Sequence, residues 1–159
     1  MSVALIKIGD VRLAAGDRAG ALTAYEESLS ISRKLAAADP GNAAWQRGLY
    51  VSLTKIGDVR LLTGDRTGAL ASYEEGLAIM RKLAAADPGN AERQADLVTG
   101  LLRVGMASDP PQARAALREA LAIAEVLARE GKLTAAQRNW PQLLRERLAK
   151  LPPEQAEAR

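Results

Sequence analysis

The residues best suited to chemistry are two pairs of adjacent acids, Glu26-Glu27 and Glu74-Glu75, and two lone aspartates, Asp10 and Asp58. Paired carboxylates can divide acid and base duties in glycoside hydrolysis, provided both face one substrate cleft. On a helix, neighbours in sequence diverge by about 100°, so each pair is expected on a solvated or salt-bridged surface instead. Asp10 and Asp58 could hold a hard cation only if several more oxygens converged on them. Their expected use is an ion-pair ladder between packed helices, with Lys7, Lys55, Arg12 and Arg60 as partners. The chain has no Cys and no His. That removes thiolate nucleophiles and ligands, and with them the side chain that titrates nearest neutral pH. Gly9 and Gly57 do not form a phosphate loop, because no strand precedes them and no Gly-Lys-Ser/Thr follows. No catalytic, cofactor-binding or metal-binding residue is assigned, and the chain is expected not to be an enzyme.

Charge and composition narrow the partners. Net charge is +3 and the pI is about 9.4, but bases alternate with acids, as in Asp17-Arg18 and in Arg33-Lys34 after Glu26-Glu27. A nucleic-acid binder concentrates Lys and Arg on one face to neutralise phosphates, so no nucleic-acid partner is expected. Hydrophobic residues make up 48% of the 159, with no Phe, two Trp and three Tyr, so Ala and Leu must carry the burial. No apolar run approaches the ~18–20 residues of a membrane helix. The start, Met1-Ser2-Val3-Ala4-Leu5, lacks the basic and apolar regions of a signal peptide. A soluble, cytoplasmic protein without a membrane partner is expected.

The elements that must position these residues are legible from an internal repeat. Lys7-Ile8-Gly9-Asp10-Val11-Arg12-Leu13 returns unchanged as Lys55 to Leu61, a shift of 48. At the same shift Gly16-Asp17-Arg18 becomes Gly64-Asp65-Arg66, Tyr25-Glu26-Glu27 becomes Tyr73-Glu74-Glu75, and Arg33 to Ala43 becomes Arg81 to Ala91. About two-thirds of the 48 positions match. Asp39-Pro40-Gly41-Asn42 and Asp87-Pro88-Gly89-Asn90 are stop-and-turn signals. Gly16-Asp17 and Gly64-Asp65 mark a second break, where Gly ends one helix and Asp caps the next. Two helices per repeat follow, over 42–63 and 66–86 in the complete copy. The spacing of Leu49, Leu53, Ile56, Val59 and Leu61, and of Leu70, Tyr73, Leu77, Met80 and Leu83, puts each set on one helical face.

A third, degenerate copy places Arg103-Val104-Gly105 where Lys55-Ile56-Gly57 would recur. Ala113, Leu117, Leu121, Ile123 and Leu127 then follow at a shift of 44, four residues having been lost at Asp109-Pro110-Pro111. A last helix over 134–150, capped by Thr134 and kinked or started late by Pro141, is expected to lie over the final repeat through Trp140, Leu144 and Leu148. The expected organisation is one domain over 1–150, with repeats of about 1–41, 42–89 and 90–131, and a disordered tail over 151–159.

Gly9, Gly16-Asp17, Ala21, Tyr25 and Leu29, repeated as Gly57, Gly64-Asp65, Ala69, Tyr73 and Leu77, resemble the tetratricopeptide signature of a small residue, a turn, then Ala, an aromatic and Leu. The resemblance departs from the family in its 48-residue period, against ~34, and in Arg12 and Arg60 where an aromatic is common. It implies an all-α fold: a right-handed superhelical stack of antiparallel helix pairs, an α-solenoid closed by a C-terminal capping helix. It also implies a scaffold that binds a protein or peptide partner on the concave face lined by the first helix of each pair. Carried over by the glycine positions, that stripe comprises Ile6, Asp10, Leu13, Arg47, Val51, Thr54, Asp58, Leu62, Thr99, Leu102 and Met106. Asp10 and Asp58 fall where the family's carboxylate-clamping groove wants Asn, so a segment carrying Lys or Arg suits it better. Long near-identical repeats of this kind resemble bacterial arrays fused to effector domains.

The first repeat lacks the half-helix that Asn42 to Leu53 supplies to the second, which leaves Val3, Leu5 and Ile6 short of cover. Either the chain is the C-terminal piece of a longer array, or repeat ends stack into dimers or filaments through Val3 and Leu5. High repeat identity also fits a consensus design. Trp45 and Tyr50, which become Arg93 and Val98 in the next copy, mark either drift with packing or a place where a partner is read.

Overall fold

The computed structural model describes residues 2–153. Among them it is all-helical: α1 (Ser2–Ala14), α2 (Arg18–Ala38), α3 (Ala43–Leu62), α4 (Arg66–Ala86), α5 (Ala91–Ala107), α6 (Pro110–Arg129) and α7 (Trp140–Ala149). The helices gather into two compact units, Met1–Ala85 and Ala86–Arg159. In the first, α2 packs on both α1 and α3, and Tyr73 of α4 lies on Gly57 of α3. In the second, α6 packs on both α5 and α7.

The helix ends follow from the residues that punctuate them. Gly16 and Gly64 take φ of 83° and 86°, a left-handed geometry that costs glycine nothing. The chain then closes a Schellman turn: Asp17 N–H donates to the Arg12 carbonyl at 2.9 Å and Asp65 N–H to the Arg60 carbonyl at 2.9 Å. The same aspartates cap the following helix, each accepting the amide of the residue three on, Gly20 or Gly68, at 2.8 Å. Asn42 and Asn90 cap α3 and α5 in the same manner.

The last helix is shorter than its sequence suggests. It begins at Trp140, not at Thr134, with Pro141 in its first turn. Proline has no N–H and its ring collides with a preceding helical turn, so it is accommodated where no such turn exists. The Thr134 amide instead donates to the Gln137 side-chain carbonyl at 3.1 Å. Of the tail expected over 151–159, residues 154–159 lie outside the described residues. Just before them, Arg114 donates to the Pro152 carbonyl.

Alanine, tyrosine and serine share the interior of the first unit with larger aliphatic side chains. Ala21, Tyr25, Ile56 and Val59 form a buried cluster with Ile6, Leu13, Leu22 and Leu29 around it. Ser28 and Ser52 meet at 3.0 Å, and Ser28 also donates to the Ser2 carbonyl at 3.1 Å. One repeat later the positions of Ser2 and Ser28 hold Tyr50 and Gly76. There the Tyr50 ring fills the space that a side chain on Gly76 would need, 3.2 Å from its Cβ position. Tyr50 is therefore a packing residue.

Candidate protein-binding site

Asp10 and Asp58 are built into the packing of their helix pairs. Gly9 allows the Tyr25 ring onto α1 so closely that a Cβ there would sit 2.3 Å from ring carbon Cε1; Gly57 does the same for Tyr73 at 2.4 Å. The ring's hydroxyl then reaches the neighbouring aspartate: Tyr25 donates to Asp10 Oδ1 at 2.6 Å and Tyr73 to Asp58 Oδ1 at 2.8 Å. Lys55 of the second repeat donates to the same Asp10 oxygen at 2.7 Å. Burial pushes the Asp10 carboxyl up, but the hydrogen bonds from Lys55 and Tyr25 and the Lys55 charge together hold it below its ordinary range. Burial, the bond to Asp10 and the negative charges of Asp10 and Asp58 push the Tyr25 hydroxyl well up.

One rung of the expected ion-pair ladder is Lys55 with Asp10. Arg12 and Arg60 donate to the Gly20 and Gly68 carbonyls at 3.0 Å and 3.3 Å. These arginines fasten the first helix of each pair to the start of the second. The reason is reach. The Schellman turn brings the next helix's first turn alongside the arginine, where a glycine carbonyl accepts the guanidinium beside its own helix bond.

The adjacent acids diverge, as helical geometry requires. Both carboxylate oxygens of Glu75 accept from the one nitrogen Nη2 of Arg33, each at 2.9 Å, which links α4 to α2. This link crosses a groove of about 590 Å³ in the first unit. Its floor is apolar, with Leu53 and Ile56 of α3 and Leu29 of α2. Its walls are polar: Glu26, Ser30, Arg33 and Lys34 on α2, Arg60 on α3, and Ser72 and Glu75 on α4. Arg60 is steadied there by Ser72, to whose hydroxyl it donates at 3.1 Å. Among the described residues no three metal-ligating side chains gather.

The residues carried over for a concave stripe occupy varied settings, and none lines this groove. Ile6 and Leu13 pack against the buried cluster. Asp10 and Asp58 are bound by the tyrosines. Thr54 is 8% exposed, whereas Leu62 and Met106 are 56% and 42% exposed. Arg47 is exposed; Val51, Thr99 and Leu102 are half-buried, and Thr99 bonds back to its own helix at the Asp96 carbonyl, 2.8 Å. Val3 is 66% exposed and Leu5 half-buried.

Two features escaped sequence reasoning. The Tyr–Asp bond had a signal: both residues are present together in two copies and absent together in the third, which has Met106 and Leu117 in their places. There Leu117 lies 3.1 Å from where a Gly105 Cβ would stand, a looser fit without the polar pair. The groove had none, since its lining comes from three helices, α2, α3 and α4, that no single motif spans. Compared with known proteins, the chain matches no protein-family model and no curated sequence.

Proposed function

We propose that this chain is a protein-interaction module of tetratricopeptide-like helix pairs, a right-handed stack by that resemblance, and not an enzyme. The observation that carries the reading is the groove over α3, with its apolar floor of Leu29, Leu53 and Ile56 and walls of mixed charge. Such a lining suits the apolar face of a partner segment flanked by both acids and bases. The acids singled out for catalysis support the reading too, since Asp10 and Asp58 hold tyrosines and Glu75 holds Arg33. Interleaved charge disfavours nucleic acid, and among the described residues no helix is long and apolar enough to cross a membrane.

The test is selection of binders from a displayed peptide library, followed by fluorescence anisotropy on variants at both candidate surfaces. Ser30→Arg obstructs the groove, and Leu62→Glu charges the stripe. Binders weakened about tenfold or more by Ser30→Arg alone support the groove. Sensitivity to Leu62→Glu alone moves the site to the stripe. Saturable binders insensitive to both, or none at all, overturn the reading.

A further inference from the structure

Seven residues occur twice in unit Met1–Ala85, in two different settings. On α3, Ile56 and Val59 are 2% and 1% exposed, packed with Ala21 and Tyr25 of the preceding helix pair, while Lys55 reaches that pair's Asp10 at 2.7 Å. On α1 the identical residues are bare. Ile8 and Val11 are 45% and 71% exposed, and Lys7 makes no ion pair among the described residues. The flanking positions agree: Ser52 and Leu53 are buried, whereas their counterparts Ala4 and Leu5 are exposed and half-buried. The buried copy thus shows what the bare copy fits, in residue types and in spacing.

We propose that the α1 face formed by Lys7, Ile8 and Val11 docks a helix hairpin built like this chain's first repeat. That hairpin presents an aspartate to Lys7 and an Ala-x-x-x-Tyr shelf to Ile8 and Val11, as Asp10, Ala21 and Tyr25 do for Lys55, Ile56 and Val59. The surface is separate from the groove over α3 and does not depend on it. A second copy of this chain is the poorer occupant. Its two Ala/Tyr shelves, Ala21 with Tyr25 and Ala69 with Tyr73, are already buried. Its third repeat has Met106 in place of the aspartate and Leu117 in place of the tyrosine, and α7 packs on its second helix. Most of the attraction is apolar, because an exposed ion pair adds little; Lys7 sets the register.

The experiment titrates the full chain with a fluorescent two-helix peptide carrying the sequence of residues 1–41 and follows anisotropy. The expected result is saturable binding that Ile8→Glu and Val11→Glu each weaken by about tenfold or more. Lys7→Asp should weaken it less, and Asp10→Lys in the peptide should restore it. Because a free hairpin can fail to fold, residues 1–48 are also fused ahead of Met1, which continues the 48-residue register. In the fusion Ile8→Glu should lower the melting temperature by several degrees more than in the parent chain. An equal shift in both overturns the proposal, as does peptide binding indifferent to all three variants. A mass that grows with concentration and is abolished by Ile8→Glu also overturns it, by making a second copy the occupant.

Discussion

At the scale of single residues, the contact between Tyr73 and Gly57 sets a limit that helix propensity alone would miss. Alanine is favoured over glycine within a helix by ~1 kcal/mol, yet a methyl group on Gly57 would lie 2.4 Å from the Tyr73 ring. Gly57→Ala is expected to destabilise the chain by about 1–3 kcal/mol in urea titrations. Combined with Tyr73→Leu, the residue the third repeat has opposite its own Gly105, it should cost less than the sum of the two changes. The equivalent site of the first repeat fixes a pH dependence. Asp10 is held below its ordinary 3.8, so its pairing stabilises the fold above that pH, and the contribution is lost as pH falls through the lowered value. Tyr25 is held above its ordinary 10.0, so its contribution is complete below pH 10 and is lost as pH rises toward the raised value. Urea midpoints measured across pH should therefore fall at both extremes. Asp10→Asn should make the acid limb shallower, and Tyr25→Phe the alkaline one.

Among elements, the turns were the most legible in the sequence and the groove the least. Gly16-Asp17 and Gly64-Asp65 declare both a left-handed stop and an N-cap, because each residue type has few other reasons to occur there. The expected helix over 66–86 is the one observed, Arg66–Ala86. Pro141 was ambiguous, since proline fits either a kink or a first turn, and only the path of residues 131–139 decides between them. The groove could not be read, because it is assembled from residues of α2, α3 and α4 and not from any motif within one of them. The turn assignment is testable on its own terms. Gly64 has φ of 86°, so Gly64→Ala should cost about 1–2 kcal/mol and Gly64→Asn less, as followed by thermal unfolding.

For the whole molecule, stability in such chains is close to a sum of local terms and nearest-neighbour terms. Leu53→Ala and Leu144→Ala each empty a fully buried site and should each cost about 2–5 kcal/mol. Amide hydrogen exchange should place the first loosening in different regions, in Met1–Ala85 for Leu53→Ala and in α6 and α7 for Leu144→Ala. Near-identity of the first two repeats carries a hazard during folding, for α1 and α3 share one seven-residue core and could each pair with the wrong second helix. The Ser2/Ser28 and Tyr50/Gly76 exchange answers it. Set against α4, α1 would leave Ser2 facing Gly76 across a void, and α3 set in the place of α1 on α2 would drive the Tyr50 ring onto Ser28. One complementary pair of large and absent side chains thus works as a key that keeps the order of assembly, penalising the mispaired intermediates that so repetitive a chain would otherwise visit.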